Sequence, residues 1–289
     1  MRLYLLKAMK ISFSKECLEY YSLSHLECPL RVSAPYKYLK EKGYEFREPS
    51  ICNKEDILLA HSRKLFEEIK TGDFFDADTP ALPNIFHYAC LAVGSAIEAA
   101  LLSLKGENTF SLMRPPGHHA TRNNLGGFCY FNNIAIAVMR AKKIVDKIAI
   151  VDLDCHHGNG TQDIFLEEKS IIYVSLHQSP LYPGTGIGSE ANCFNYPLSA
   201  YTDSASYINT LKKALENVVK FNPDLIAVSM GFDTYKLDPI ANLSLEIDTY
   251  NQIGKLLSDL RKPLFSILEG GYNCQGLPEC IEQFLIGIG

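Results

Sequence analysis

The sequence predicts one α/β domain over residues 1–289, with a central, mostly parallel sheet and helices on both of its faces. Three observations carry this expectation. Short apolar, β-branched runs, of which 148–151 (IAIV) is the clearest, are bounded by charge and glycine, as strands buried on both faces are. These runs alternate with segments of helical length and spacing, the pattern of parallel strands joined by right-handed crossovers. No Pro/Ser/Gly-rich linker, charge block or internal repeat divides the 289 residues, whose hydrophobic content of 47% suits one large core.

In chain order, 10–14 reads as a first short strand and 35–42 as a helix closed by Gly43. The segment HLECPLR, 25–31, lies between them. Asn53 caps a helix beginning KEDILLAH, and Ser62 starts another, RKLFEEIK, that stops at Gly72. GDFFDADTPALPN is rich in Asp, Pro and aromatics and reads as a loop. It leads into a long helix, 85–104, whose Ala89, Val93, Ala96, Ile97 and Ala100 lie at helical spacing and face the sheet.

A strand at 109–113 then runs into RPPGHHATRNNLGGFCYFNN, and a helix at 134–143 precedes the strand at 148. Beyond it come a strand at 171–176, the glycine-rich loop HQSPLYPGTGIGSE and a helix over 203–220. The buried strand LIAVSMG, the loop DTYKLDP, a helix over 245–260 and a last clear strand in PLFSILEGGYN complete the order.

The net charge of −5 leaves no electrostatic footprint for nucleic acid, though it is compatible with a cationic substrate. Nine cysteines, an odd number with no C-x-x-C pair, speak against a disulfide framework and a structural zinc knuckle. The N-terminal 17 residues hold too short an apolar segment for a secretory signal or a membrane span, so a reducing, cytoplasmic setting without a membrane partner is expected.

Chemistry begins where the strand of KIAIVDLDCHHGNG (147–160) stops. Asp152, Asp154 and His156 follow at every second position, so an extended backbone would turn them to one point at the strand's carboxyl end, where open α/β sheets place ligands. GHHA (117–120), GFD (231–233) and LEGGYN (268–273) end or follow other strands on the same edge. Asp154, His156 and Asp233 make three ligands with an open position, the pattern of a catalytic zinc. His118 and His119 can serve as general base and general acid, and Tyr272 can donate to the oxyanion formed when water attacks an amide. Cys155 lies between two ligands, but strand alternation points it into packing. PGTGIGSE lacks the Lys and Ser/Thr of a phosphate loop and reads as pocket rim.

These residues resemble the zinc-dependent histone deacetylase and acetylpolyamine amidohydrolase family, with its arginase-like fold. RPPGHHA, GFCYFNN, DLDCHHGNGTQ, VSLH, YPGTG, GFD with DP following, and LEGGYN stand in the family's order between His25 and Asn273. The resemblance implies Asp154, His156 and Asp233 as ligands of one zinc, with ferrous iron as an alternative occupant, and His118, His119 and Tyr272 as the catalytic groups. Asp152 would orient His118. With the Ser175 hydroxyl and the backbone of Asp154, His156 and Leu176, it would also hold a structural potassium ion.

Phe128 and Tyr182 would wall a narrow tunnel beside Gly126 and Gly127, with Asp78 as a rim aspartate and His157 supporting the metal ligands. The substrate would be an acetylated lysine in a peptide or protein, or a small acetylated amine. Asn159 and Glu269 match the class II subgroup. Ile240 stands where polyamine-selective eukaryotic members carry glutamate, which lowers a polyamine preference. The chain is shorter than most relatives, implying trimmed loops and a more open pocket. Gly158 and Gly231 stand where arginase has carboxylates for a second metal, so one catalytic metal is expected. The alternative, a non-hydrolytic binder of acylated or polyamine ligands, is disfavoured by the complete set of catalytic residue types.

Overall fold

The computed structural model describes residues 9–289; part of the N-terminal apolar segment lies outside the described residues. The strands are β1 (Lys10–Ser12), β2 (Glu45–Arg47), β3 (Thr109–Ser111), β4 (Ile148–Asp152), β5 (Ile171–Gln178), β6 (Cys193–Leu198), β7 (Leu225–Met230) and β8 (Leu264–Leu268). They form one sheet in the order β2-β1-β3-β8-β7-β4-β5-β6, and every pairing is parallel.

Helices cover both faces, and strand alternation divides the core between them. Ile148 and Ile150 of β4 enter one layer, with α3 (Arg63–Thr71), α4 (Ile85–Ser103) and α5 (Asn133–Ala141). Ala149 and Val151 enter the other, with α1 (Leu30–Glu41), α7 (Ser204–Phe221), α8 (Ile247–Ser258) and α9 (Leu277–Ile288). Two short helices complete the set, α2 (Lys54–Ile57) and α6 (Asn159–Phe165). With both faces covered, all residues of β3, β4, β5, β7 and β8 are buried, which is why they read as continuous apolar runs. Helix α4 has the length and apolarity of a membrane span, yet most of it is buried within the fold.

The local signals at the helix starts act as anticipated. Asn53 and Asp56 close a reciprocal capping box on α2, the Ser62 side chain accepts from the Leu65 N–H, and Gly72 ends α3 at a left-handed φ of 74°. Helix α1 differs. It begins at Leu30 with Pro35 inside it, because Pro29 serves as the N-cap and the turn ahead of Pro35 is already helical. Among the described residues, five further elements went unpredicted: a 3-10 helix at Lys15–Leu18, β2, β6, α6 and α9.

Candidate active site

The crossover leaving β4 runs to β5 on one side, and the crossover leaving β7 runs to β8 on the other. The carboxyl ends of these adjacent strands therefore stand at a switch point, where diverging connections leave a crevice. Asp154 and His156 follow β4, and Asp233 follows β7. One ligand atom from each lies within 4.8 Å of the others, and all three residues are buried.

His156 Nδ1 is 2.8 Å from Asp233 Oδ2 and 3.2 Å from Asp154 Oδ1. Backbone donors hold the carboxylates in place. Gly270 N–H reaches Asp154 Oδ2 at 2.7 Å, His156 N–H reaches Asp154 Oδ1 at 2.9 Å, and Cys155 N–H reaches Asp233 Oδ1 at 2.9 Å. Burial and then the Asp154 charge push the Asp233 carboxyl up, whereas His118 and His156 hold Asp154 low against its own burial. Oxygen, oxygen and nitrogen donors converging from Asp154, Asp233 and His156 fit a divalent cation.

Asp152 does not join this cluster. Strand β4 ends at Asp152 and the chain bends, so the two-residue alternation lapses and only Asp154 and His156 converge. Asp152 instead lies behind His118, its Oδ2 3.2 Å from His118 Nδ1 and accepting from the Tyr173 hydroxyl at 2.9 Å. Cys155 is buried in the core layer, away from the cluster. Across β4 and β5, Asp152 is the register partner of Ser175, and both are buried, as is Leu176. The Ser175 hydroxyl lies 2.8 Å from His177 Nδ1.

The two histidines of GHHA have different surroundings, their rings 4.0 Å apart. Burial opposes the charging of His118, but the Asp154 and Asp152 carboxylates overcome it and raise it to about 10. A cation between Asp154 and Asp233 would offset part of that field. His119 is driven well below the usual imidazole range by burial, then by His118 and His156. Its Nδ1 lies 2.8 Å from the Asn159 side-chain oxygen. That neutral acceptor places the proton on Nδ1 and leaves Nε2 with a free lone pair. His157 sits beside the candidate ligand His156, its ring nitrogens 2.7 Å from Thr185 Oγ1 and 2.9 Å from Gln162 Oε1.

A cavity of about 240 Å³ opens onto these groups. Asp78, Gly127, Phe128 and Tyr182 line it together with His119, His156 and Tyr272, so every residue read as a substrate contact meets the chemistry in one place. Leu181 and Ile240 complete the lining. Phe128 is held at a φ of 69°, sparsely populated for a bulky residue, by its N–H bond to Thr79 Oγ1 at 2.9 Å. Its ring meets His25 and Tyr272 edge-on, at 4.8 and 5.7 Å. Gly127 must lack a side chain, since a Cβ there would lie 2.6 Å from His119.

The same accounting explains the single cluster. A Cβ at Gly158 would lie 2.1 Å from Asp152 Oδ2 and 2.7 Å from the Tyr173 hydroxyl, and one at Gly231 would lie 2.2 Å from Asp154 Oδ2. Other side chains fill the space that carboxylates for a second metal would need.

Sequence reasoning passed over the support beneath Tyr272. Arg31, fully buried, donates through Nε to Gly271 O at 2.7 Å and through Nη2 to Glu269 O, and its guanidinium lies 4.6 Å from the Tyr272 ring centre. Glu27 ties Arg31 to Arg114, whose Nε and Nη2 each reach its carboxylate at 2.6 Å. Two of these residues, Glu27 and Arg31, lie in HLECPLR, where an acid and a base four apart were the available signal.

A model of the histone deacetylase domain matches residues 25–288. A probable deacetylase from Archaeoglobus fulgidus is 37% identical over 293 residues, covering 92% of this chain and 82% of its own. Acetylpolyamine amidohydrolase 2 of Pseudomonas aeruginosa is 37% identical over 218 residues, 68% of this chain and 61% of that one. The crystal structure of an acetylpolyamine aminohydrolase from Burkholderia pseudomallei superposes with a TM-score of 0.91 at 25% identity, covering 97% of this chain and 98% of its own.

Proposed function

The chain belongs to the histone deacetylase family and is a hydrolase of amide bonds, and from that premise we propose that it is a zinc-dependent amidohydrolase removing an acetyl or other acyl group from acyl-lysine or a small acylated amine. The buried Asp154, His156 and Asp233 beside one cavity carry this reading. When bound, zinc supplies Lewis acidity and lowers the pKa of a coordinated water. Ferrous iron suits the same donors.

The rest is done by the chain's own residues. The neutral acyl-amide enters between Phe128 and Tyr182 beside Gly127, with Asp78 at the rim gripping the substrate backbone. His119 lines the cavity and carries its proton on Nδ1, so its Nε2 takes the proton of the attacking water and later returns it to the leaving amine. His118, against Asp152, supplies positive charge to the developing tetrahedral centre. Tyr272 stays a protonated donor, its hydroxyl raised well above 10 by burial, and bonds the oxyanion. Asp152, Ser175 and Leu176, with the backbone of Asp154 and His156, would hold potassium at the joined ends of β4 and β5.

Ile240 adds an apolar wall where a cationic polyamine would want a carboxylate, which favours acyl-lysine among the two substrate classes. Nine free thiols suit the proposed cytoplasmic setting. The test is a panel of acetyl-lysine, acetylpolyamine and longer-acyl substrates with and without chelator. Chelator-sensitive release of the amine is expected, and no hydrolysis across the panel would overturn the reading.

A further inference from the structure

The mechanism above leaves one buried acid without a task. Glu269 is fully buried and no Arg or Lys side chain bonds its carboxylate; Arg31 reaches only its backbone oxygen, and the nearest positive charge is that of His118. Its Oε2 accepts from the N–H of Gly117 at 2.7 Å and of His118 at 3.2 Å, and its Oε1 accepts from the Ser229 hydroxyl at 3.0 Å. The two N–H groups can only donate, so Oε2 is matched as an acceptor, while the Ser229 hydroxyl, able to donate or accept, suits Oε1 in either protonation state.

The backbone of Glu269 is pinned as well. Its N–H donates to Met230 O at 3.0 Å, and Arg31 clamps the carbonyls of Glu269 and Gly271. Glu269 is thus the junction of three segments: the end of β7 that leads to Asp233, the loop that carries His118 and His119, and the turn that carries Tyr272. Burial pushes its carboxyl up to about 7, so holding it here works against its own solvation. A carboxylate kept under that penalty by backbone donors of the histidine loop points to a role in that loop's position.

Resting on the amidohydrolase reading, we infer that Glu269 is a positioning residue, whose carboxylate fixes the backbone of Gly117 and His118, and with it the histidine pair, relative to the Tyr272 turn. It neither lines the cavity nor belongs to the candidate metal cluster, and its carboxylate acts through the loop it holds. Loss of the carboxylate releases the loop and spoils the registration of proton acceptor and oxyanion donor. That registration governs the chemical step and leaves substrate binding by Phe128 and Tyr182 untouched.

Glu269→Ala and Glu269→Gln are compared with the parent for kcat, KM, metal content and melting temperature. Glu269→Ala should lower kcat about 10- to 100-fold, as misplacement of catalytic groups by about 1 Å does, with KM and metal content unchanged. Glu269→Gln keeps an oxygen for the two N–H groups and should recover part of the loss. Unchanged kcat in Glu269→Ala, or a loss confined to KM, overturns the inference. If the parent itself hydrolyses nothing, the amidohydrolase reading falls, and hydrogen–deuterium exchange decides the inference separately. Faster exchange in 114–121 with the sheet core unaltered supports the tether, and equal exchange in parent and variants refutes it. Should Glu269→Ala fail to fold, the same two readouts on Glu269→Gln stand in its place.

Discussion

Asn159 Oδ1 lies 2.8 Å from His119 Nδ1, so the histidine that lines the cavity is oriented by a neutral amide while its neighbour His118 faces the Asp152 carboxylate. The pair is electrostatically unequal even though the two residues are adjacent in the chain. Replacing Asn159 with Asp would give His119 a charged partner and raise its pKa by roughly 1 to 3 units. Since His119 accepts a proton only when neutral, the acid limb of kcat/KM should move to higher pH. Activity should then fall on the acid side of the profile and stay unchanged on the alkaline side. A profile superimposable on the parent's would show that His119 is not the proton acceptor.

Tyr272→Phe removes the oxyanion donor and little volume. We expect kcat to drop about 10²- to 10³-fold, the usual effect of deleting one such donor, with metal content intact by elemental analysis. Turnover that survives unchanged would strip Tyr272 of this role.

Metal removal should register in stability as well as activity. At ligand concentrations about 100-fold above Kd, binding stabilises by about 2.7 kcal/mol, so chelation should lower the melting temperature by roughly 5 to 10 °C. Asp233→Ala should melt at the same temperature with and without chelator. A variant that retains stoichiometric metal would refute the ligand set.

Rebuilding a second metal site by Gly158→Asp should fail. The new Cβ would crowd Asp152 and Tyr173, and the added charge would be buried beside Asp152, costing roughly 3 kcal/mol or more. The expected result is a lower melting temperature with no second equivalent of manganese in a binding titration; two bound ions would contradict the packing argument.

Ile240→Glu sets a carboxylate in the cavity wall, where it can meet a distal ammonium. The ratio of kcat/KM for acetylpolyamine over acetyl-lysine should rise about 2- to 5-fold, the scale of one partly exposed charge pair. An unchanged ratio would place the polyamine discrimination elsewhere.

Much of this architecture is readable from residue order. The central strands announced themselves because burial on both faces leaves no polar position in IAIV or LIAV, and the candidate metal cluster because its Asp and His residues sit where those runs end. Edge strands lack that signal. β2 is largely exposed, and β6 carries Pro197, which an edge strand tolerates because its unpaired side needs no N–H. Helix α6 is a short segment opening with Asn-Gly, poor helix formers that mask it. Helix α9 follows a glycine-rich turn that reads as loop.

In the site, the candidate ligand cluster and the Asp152–His118 contact were legible, and the backbone tethers were not. Arg31 and Glu269 act through backbone carbonyls and N–H groups distant in sequence, and residue identities do not encode such pairings. Asp152 was drawn toward the metal by an alternation that its own strand end interrupts.

The order of strands across the sheet also bears on how the molecule assembles. β3 pairs with β8, and β4 with β7, so segments made early must wait for segments made late before either half of the sheet is joined. Asp154 and Asp233 become neighbours only when β7 docks against β4, and Gly270 must then arrive from beyond β8 to hold Asp154. The candidate metal ligands are therefore assembled by the pairing of β4 with β7 and not by either strand alone, so a cation would be captured only after that long-range contact, of the kind that slows folding, has formed.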